Sequence, residues 1–209
     1  MGLWGDRILP HVINTACGSK DIRPLRERAC AGLTGTVLEL GFGSGLNCEL
    51  YPDAVTSVLA IEPADSAWKM AAKRRSVTSA LISRAGLDGQ RLDLADASVD
   101  SALITFTLCT IPDVETALQE VARVVKPGGS VHIAEHGRSP DRAVARWQRR
   151  LDPAQQRLFG GCHLTRDPIR LLESAGFTDV DIDTSYVSEL AAMRPWMYGY
   201  AGTAKVSAA

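Results

Sequence analysis

The chain has 209 residues, of which 45% are hydrophobic, and a formal net charge of −1 at neutral pH. This length is enough for one α/β domain with a full core. The small net charge excludes binding to nucleic acid or to an anionic membrane through bulk charge. No stretch approaches the ~20 apolar residues that span a bilayer, and the first 18 residues lack the pattern of a secretory signal. They predict a short amphipathic helix that caps a site, with membrane contact that is at most peripheral.

The cysteine pattern predicts a cytoplasmic protein. The five cysteines are Cys17, Cys30, Cys48, Cys109 and Cys162. They are odd in number, widely spaced and contain no C-x-x-C pair, which fits neither a disulfide framework nor a zinc site. His132 and His136 are four residues apart, but on a predicted strand, where the helical metal-binding spacing does not apply. The sequence therefore predicts no metal site.

Most of the chain alternates continuous apolar runs with helical segments. Such runs are typical of strands that are buried on both faces of a parallel sheet. The predicted order from residue 19 is helix 19–32, strand 36–42, strand 57–63, helix 64–77, a weakly marked strand 79–86, strand 101–111, helix 114–125, turn 126–129 and strand 130–137. Strands that alternate with helices indicate a doubly wound, Rossmann-like α/β fold.

The end of the chain has a different pattern. A polar helical insertion at 139–169 is followed by a helix that ends at Gly176. Two strands, 178–187 and 194–205, then follow without a helix between them, so we expect them to pair antiparallel. We predict a single domain over 1–209, divided into a helical cap 1–32, a cofactor-binding core 33–138, the insertion 139–169 and a C-terminal helix with a strand pair 170–209.

The stretch "ELGFGSG" after the first strand predicts a loop that approaches a ligand closely. Gly41, Gly43 and Gly45 allow positive φ angles and let backbone N–H groups face a ligand. The dinucleotide fingerprint requires a third glycine where this chain has Leu46, and the lysine of a phosphate-binding P-loop is missing. The spacing therefore argues against both phosphate ligands.

Two acidic residues beside this loop favour another type of ligand. Glu39 precedes the first glycine by two residues, where a carboxylate suits a ligand with a cationic end better than a pyrophosphate. Glu62, at the end of the second strand, can accept hydrogen bonds from both hydroxyls of a ribose. The alternative for Glu62 is a solvated acid at a strand end.

The motifs "VLELGFGSG", "AIEP", "LDGQRLDLADASVD", "FTLCTIPD" and "ARVVKPGG" resemble, in this order, those of the class I S-adenosylmethionine-dependent methyltransferases. The resemblance covers about residues 33–138 and implies a seven-stranded sheet with an antiparallel last strand. It also implies S-adenosyl-L-methionine as cofactor and S-adenosyl-L-homocysteine as product. The implied contacts are Glu39, Gly41, Gly43 and Gly45 at the methionine end, Glu62 at the ribose, Pro63 and Asp88 at the adenine, and Phe106 and Thr107 at the sulfonium.

A narrower resemblance covers about residues 130–201. The stretches "HIAEHG", "WQRRLDPAQQRLFGGCHLTRD", "LLESAGF" and "RPWMYGYA" are similar to the methyltransferase-like 7 group, which contains thiol methyltransferases and bacterial homologues. This resemblance implies a small-molecule acceptor that is methylated on sulfur. Because related bacterial sequences are assigned to phospholipid N-methylation, an amine or a phospholipid headgroup is the alternative acceptor.

The energy needed to ionise the acceptor also favours a thiol. A thiol of pKa ~8.5 costs only ~2 kcal/mol to ionise at pH 7, whereas a hydroxyl of pKa ~15.7 costs ~12 kcal/mol. His136, where the fifth strand ends, is the candidate base for the thiol proton, with a hydrogen-bonded loop histidine as the alternative. The candidate acceptor pocket consists of Trp4, His11, Trp147, Cys162, His163 and Arg166. For Cys162 we favour a pocket-lining or structural role over that of a nucleophile.

Two other classes of function compete with this prediction. One is a non-catalytic protein that binds S-adenosylmethionine as a sensor or partner subunit. The other is a nicotinamide-dependent oxidoreductase, which Leu46 disfavours. The expected partner is a small molecule rather than nucleic acid, and the chain is expected to be a monomer or a homodimer.

Overall fold

The computed structural model describes Trp4 and residues 8–207 and has a seven-stranded sheet with helices on both faces. Its elements in chain order are α1 (Leu9–Cys17), α2 (Arg23–Cys30), β1 (Gly35–Leu40), β2 (Val55–Ile61), α3 (Asp65–Met70), α4 (Ala72–Arg75), β3 (Leu81–Gly86), β4 (Val99–Thr105), α5 (Val114–Val124), β5 (Val125–His136), α6 (Arg142–Leu158), α7 (Pro168–Ser174), β6 (Thr178–Tyr186), a 3-10 turn (Ala191–Met193) and β7 (Tyr198–Lys205). The predicted fold class is confirmed.

The strand order of the sheet is β3-β2-β1-β4-β5-β7-β6. Strands β1 to β5 are parallel to one another, and β7 lies between β5 and β6 and pairs antiparallel with both. The chain runs outward from β1 to one edge and then returns to β4 on its other side. In open α/β sheets, ligands bind beyond the carboxyl ends of the strands at such a reversal point.

The central strands bury side chains on both faces of the sheet. Leu38 and Ile104 belong to the apolar cluster that also contains residues of α5, such as Val121. Val37 and Leu103, one residue earlier in each strand, belong to the cluster on the opposite face with residues of α2. Each such side chain contributes about 1.5–3 kcal/mol when it is fully buried. Burial on both faces explains why these strands have no polar alternation.

Three predicted boundaries were wrong. The fourth strand ends at Thr105 instead of continuing to 111, because Phe106 has a φ of 53° and the chain turns out of the sheet. The helix predicted over 64–77 is divided into α3 and α4 at Ala71. The predicted turn 126–129 lies inside β5, where the pairing with β4 shifts register and Gly128 has a φ of 75°.

The predicted N-terminal cap lies partly outside the described residues, which lack 1–3, 5–7 and 208–209. Its described part contains α1, which contacts α3, and α2, which packs on the sheet. None of the helices within the described residues is long and apolar enough to cross a bilayer.

Candidate functional site

A cavity of about 450 Å³ opens at the carboxyl edge of the sheet. Its walls come mainly from α1, the glycine loop after β1, the end of β2, the loop after β3 and the turn after β4, and α2 adds Arg26. Phe159 and Gly160, which follow α6, add to the wall. The volume lies in the range of about 300–1,000 Å³ that is typical of small-molecule and cofactor sites.

The glycine loop contacts the turn after β4 directly. Gly41 lines the cavity with a φ of 76°, and a Cβ atom placed there would lie 2.0 Å from the Thr107 Oγ1 atom. Gly43 also lines the cavity and has a φ of 59°. Only glycine fits Gly41, because both the backbone angle and the neighbouring side chain exclude a Cβ. Gly45 is not among the lining residues, since it packs against Cys48 and Ala71.

Glu62 lies at the cavity wall with its carboxylate fixed by the backbone. The N–H of Gly43 donates to Oε2 over 2.6 Å, and the N–H of Ala64 donates to Oε1 over 2.7 Å. Burial raises the pKa of Glu62, and these two hydrogen bonds partly oppose the rise. The remaining lone pairs of both oxygens can accept hydrogen bonds from a ligand.

The other residues predicted near the adenine and the sulfonium also line the cavity: Pro63, Asp88, Phe106 and Thr107. Asp88 is exposed and accepts hydrogen bonds from the backbone and side-chain amides of Gln90, which lower its pKa. The backbone N–H of Thr107 donates to the Glu135 carboxylate over 2.7 Å. This bond holds the turn after β4 in place.

Glu39 does not line the cavity. It is fully buried, and its carboxylate accepts hydrogen bonds from Asn47 Nδ2 at 2.9 Å and from the Tyr51 hydroxyl. Burial raises the pKa of Glu39 to about 7, against the opposing effect of the bonds from Tyr51 and Asn47. The predicted direct contact with a ligand is therefore replaced by a role beneath the loop, where Glu39 anchors the segment that follows the glycines.

Arg26 was not predicted, although it is the only cationic side chain among the described lining residues. Its guanidinium donates to Asn47 Oδ1 and Thr105 Oγ1, each over 2.8 Å, and to the Cys17 carbonyl over 3.1 Å. It also lies 5.0 Å from the centre of the Phe106 ring. Arg26 thereby joins α1, the glycine loop and the end of β4. A polar helix gave no signal that this arginine turns inward.

One face of α1 closes the cavity. Leu9, Pro10, Ile13, Asn14 and Cys17 line it, a set with the spacing of a single helix face. His11 lies off this face, is exposed, and does not line the cavity as predicted.

The two tryptophans predicted in the acceptor pocket also lie outside the lining. Trp147 is 55% exposed on α6, and its ring lies 5.3 Å from the Arg150 guanidinium. Trp4 is 44% exposed, and its indole N–H donates to the carbonyl of Leu158. Both side chains have surface partners, so neither forms part of the predicted acceptor pocket.

His136 and Cys162 lie behind the cavity wall rather than in it. Nε2 of His136 is 3.2 Å from Sγ of Cys162, and the His136 ring stacks on Phe106 with centroids 6.5 Å apart. Nδ1 of His136 is buried without a hydrogen-bond partner among the described residues. Because Phe106 lines the cavity and His136 does not, the predicted proton transfer from an acceptor to His136 has no direct path in this arrangement.

Cys109, in the turn after β4, joins this pair. The three ligand atoms of Cys109, His136 and Cys162 all lie within 4.8 Å of one another. A hydrogen bond from Cys109 lowers the pKa of the Cys162 thiol, and His136 lowers it further, against the effect of burial. The residues come from the turn after β4, the end of β5 and the loop after α6. Their sequence spacing gave no sign of the cluster.

His163 and Arg166 support the wall instead of lining it. Nδ1 of His163 lies 3.4 Å from a carboxylate oxygen of Asp152. The Arg166 guanidinium donates to the carbonyls of Leu108 and, over 2.8 Å, of Ile111. The His163 contact joins the segment after α6 to α6 itself, whereas the Arg166 bonds hold the turn after β4. Neither residue is among those that line the cavity.

The strand order, the antiparallel β7, the glycine loop and the fixed acid at the end of β2 together define a class I S-adenosylmethionine-dependent methyltransferase. A family model described as "Methyltransferase domain" matches residues 38–134. The chain is 35% identical over 182 residues to the human thiol S-methyltransferase TMT1A, with 82% of this chain and 72% of that protein covered. It therefore belongs to this methyltransferase family.

Other comparisons agree with this assignment. A rat thiol S-methyltransferase, TMT1B, is 36% identical over 154 residues, which cover 71% of this chain and 62% of that protein. A phosphatidylethanolamine N-methyltransferase of Cereibacter sphaeroides is 31% identical over 107 residues, which cover 49% of this chain and 51% of that protein. The chain thus spans between about half and three quarters of the length of these relatives.

A solved structure shows the same fold. It is described as an S-adenosylmethionine-dependent methyltransferase, possibly a histamine N-methyltransferase, from Thermotoga maritima. It has a TM-score of 0.65 and 20% identity, and the match covers 99% of this chain and all of that one.

Proposed function

We propose that this protein transfers a methyl group from S-adenosylmethionine to the sulfur of a small, largely apolar thiol. The observation that carries the proposal is the similarity to two thiol S-methyltransferases over more than two thirds of this chain. The chemistry of the cavity lining supports the same acceptor.

The lining residues fit S-adenosylmethionine. Glu62 would accept the ribose hydroxyls with the lone pairs that its two backbone bonds leave free. Asp88 and Pro63 would contact the adenine, and the glycine loop would approach the methionine part. Arg26 would attract the cofactor carboxylate. When bound, the cofactor would supply a methyl group on a sulfonium: the acceptor sulfur bonds to the methyl carbon in line, and S-adenosylhomocysteine leaves. The chain mainly positions the two partners and excludes water.

The acceptor end of the cavity is apolar. We assign to it the apolar lining residues Leu9, Ile13, Phe106, Ile111 and Phe159. Apart from Glu62 and Asp88, which belong to the cofactor end, the described lining residues include no carboxylate, and they include no histidine. Such a wall offers no base for a hydroxyl and no counter-charge for an ammonium group. A thiol needs neither, because it ionises at a cost of only ~2 kcal/mol at pH 7.

The alternative acceptor is an amine, such as a phospholipid headgroup. It is supported by the similarity to the phosphatidylethanolamine N-methyltransferase, which covers about half of this chain. The apolar acceptor end favours the thiol over this alternative.

Two measurements on the purified protein test the proposal. S-adenosylmethionine and S-adenosylhomocysteine should raise the melting temperature, whereas NAD should not. Mass spectrometry should then detect S-methylated product from a panel of apolar thiols, but no product from matched alcohols, amines or phosphatidylethanolamine vesicles. Methylation of the amine or the lipid without any thiol product would replace the thiol by the alternative acceptor.

A matched pair of variants locates the acceptor. Ile13→Ser should raise the KM of an apolar thiol and leave cofactor affinity unchanged, because Ile13 lies on α1 at the acceptor end. Ile169→Ser serves as control, since Ile169 is only partly buried and packs on the opposite side of the sheet from α2. Equal effects of the two substitutions would contradict the assignment of α1 to the acceptor site.

A further inference from the structure

The cluster of Cys109, His136 and Cys162 combines the ligand types that a borderline-soft metal ion prefers. Thiolate sulfur and imidazole nitrogen together bind Zn²⁺ in preference to hard cations such as Mg²⁺ or Ca²⁺. The three ligand atoms already lie within 4.8 Å of one another, and the His136 Nε2 to Cys162 Sγ distance is 3.2 Å. In a tetrahedral zinc site, with metal–sulfur bonds of ~2.3 Å, neighbouring ligand atoms are about 3.5–3.8 Å apart. The observed separations are within about 1 Å of this geometry.

The position of the cluster in the fold favours a preformed binding site. Cys109 and Cys162 are 3% and 7% exposed, so neither thiol is a surface group that meets ions by chance. Arg166 holds the turn that carries Cys109, and His163 donates its backbone N–H to the Cys109 carbonyl over 2.9 Å. Three separate segments are thus fixed with their ligand atoms facing one another.

The cluster also lacks a partner for one of its polar atoms. His136 Nδ1 is buried and has no hydrogen-bond partner among the described residues. The ring nitrogen that faces Cys162 Sγ is Nε2, at 3.2 Å, so Nε2 would bind the cation and Nδ1 would lie on the far side of the ring.

We infer that Cys109, His136 and Cys162 form a binding site for Zn²⁺ or a cation of similar softness, with the fourth coordination position open. The described residues supply no fourth protein ligand to the cluster. Three protein ligands and one open position are the pattern of catalytic zinc sites, whereas structural sites have four. Binding of the cation would release the thiol protons to solvent.

The site would lie directly behind the acceptor end of the cavity. Phe106 and Thr110, close to Cys109 in the chain, line the cavity, as does Gly160, two residues before Cys162. The inference goes beyond the proposed function and stands whichever group accepts the methyl.

Metal binding can be measured on the whole chain without any assay of activity. The reduced, chelator-treated protein is titrated with Zn²⁺ in competition with a chromophoric chelator, and separately with Co²⁺. We expect one Zn²⁺ per chain and a Co²⁺ spectrum with thiolate charge-transfer absorption and intense four-coordinate bands. X-ray absorption of the zinc-loaded protein should show sulfur and nitrogen in the first shell. A first shell without sulfur, or no binding above that of the chelator, would overturn the inference.

Variants then assign the ligands. Cys109→Ser, Cys162→Ser and His136→Gln should each weaken Zn²⁺ binding by at least about 100-fold, more than the loss of a second-shell residue. Cys30→Ser is the matched control, because Cys30 is buried in the α2 cluster, outside the site, and should keep full affinity. Circular dichroism checks that each variant is folded. If one variant does not fold, the Co²⁺ and X-ray absorption spectra of the wild type still test the site. Unchanged binding in folded cluster variants would also refute the site.

Discussion

Substitution of Glu39 by glutamine should change how the stability of the protein depends on pH. Glu39 is 0% exposed, and burial raises the pKa of its carboxyl from 4.5 to about 7. Between these two values the native state keeps a proton that the unfolded chain has lost. Stability from this group is therefore complete below pH 4.5 and lost as the pH rises to about 7. A difference of about 2.5 pKa units corresponds to about 3 kcal/mol.

Glutamine cannot ionise and keeps a carbonyl oxygen that can accept from Asn47 or Tyr51. The free energy of unfolding of Glu39→Gln should therefore fall less between pH 5 and pH 8 than that of the wild type, by up to about 3 kcal/mol. Urea unfolding of both proteins at both pH values measures this difference. The contributions of the other titrating groups are the same in the two proteins and therefore cancel. Glu189→Gln, at an exposed position, controls for the loss of a carboxylate. Parallel pH dependences of Glu39→Gln and the wild type would refute the assigned pKa.

Three further predictions concern the cofactor site. Gly41→Ala should destabilise the protein and abolish cofactor binding, because Gly41 has a positive φ and a Cβ atom there would clash with Thr107. Gly128 also has a positive φ but no close neighbour, so Gly128→Ala should lower the free energy of unfolding by only about 1–2 kcal/mol. Equal unfolding free energies of the two variants would contradict this. Glu62→Ala should weaken S-adenosylmethionine binding by ~10-fold or more in calorimetry, through lost hydrogen bonds worth about 1–3 kcal/mol, and Glu62→Gln by less; unchanged affinity would remove Glu62 from the site. Asp88→Ala should reduce the affinity more than Asp88→Asn, which retains an acceptor oxygen, and equal negligible effects would assign the adenine contact to another residue.

The predictable parts of the fold are those that depend on local pattern. β1, β2 and the start of β4 are apolar on both faces. In a chain of this length, such short apolar runs predict buried strands of a parallel sheet. Glu62 was predictable as a ligand contact because it ends a parallel strand, and such strands end at the same edge. The inward face of α1 was also predictable, since Leu9, Ile13 and Cys17 are four residues apart, whereas His11 is not in register with them.

The parts that were missed depend on tertiary contacts. Residues 106–111 are apolar enough to continue a strand, but they form a turn that Glu135 and Arg166 hold by hydrogen bonds to the backbone. Only Leu108 and Cys109 of this turn are buried. Arg26 belongs to a polar helix and is buried only because Asn47 and Thr105 accept its hydrogen bonds. The turn and this hydrogen-bond network both depend on residues from distant segments, so no local sequence pattern predicts them.

The attachment of α1 has a consequence for the kinetics of the enzyme. The Asn14 side chain of this helix accepts hydrogen bonds from the Ser44 hydroxyl at 2.7 Å and from Arg74 at 3.0 Å. Ser44 lines the cavity beside the glycines of the loop, while Leu9 and Ile13 of the same helix line the proposed acceptor end. Outward movement of α1 would therefore uncover both ends at once. We expect the departure of S-adenosylhomocysteine, rather than methyl transfer, to limit turnover, so that a burst of methylated product precedes the steady state.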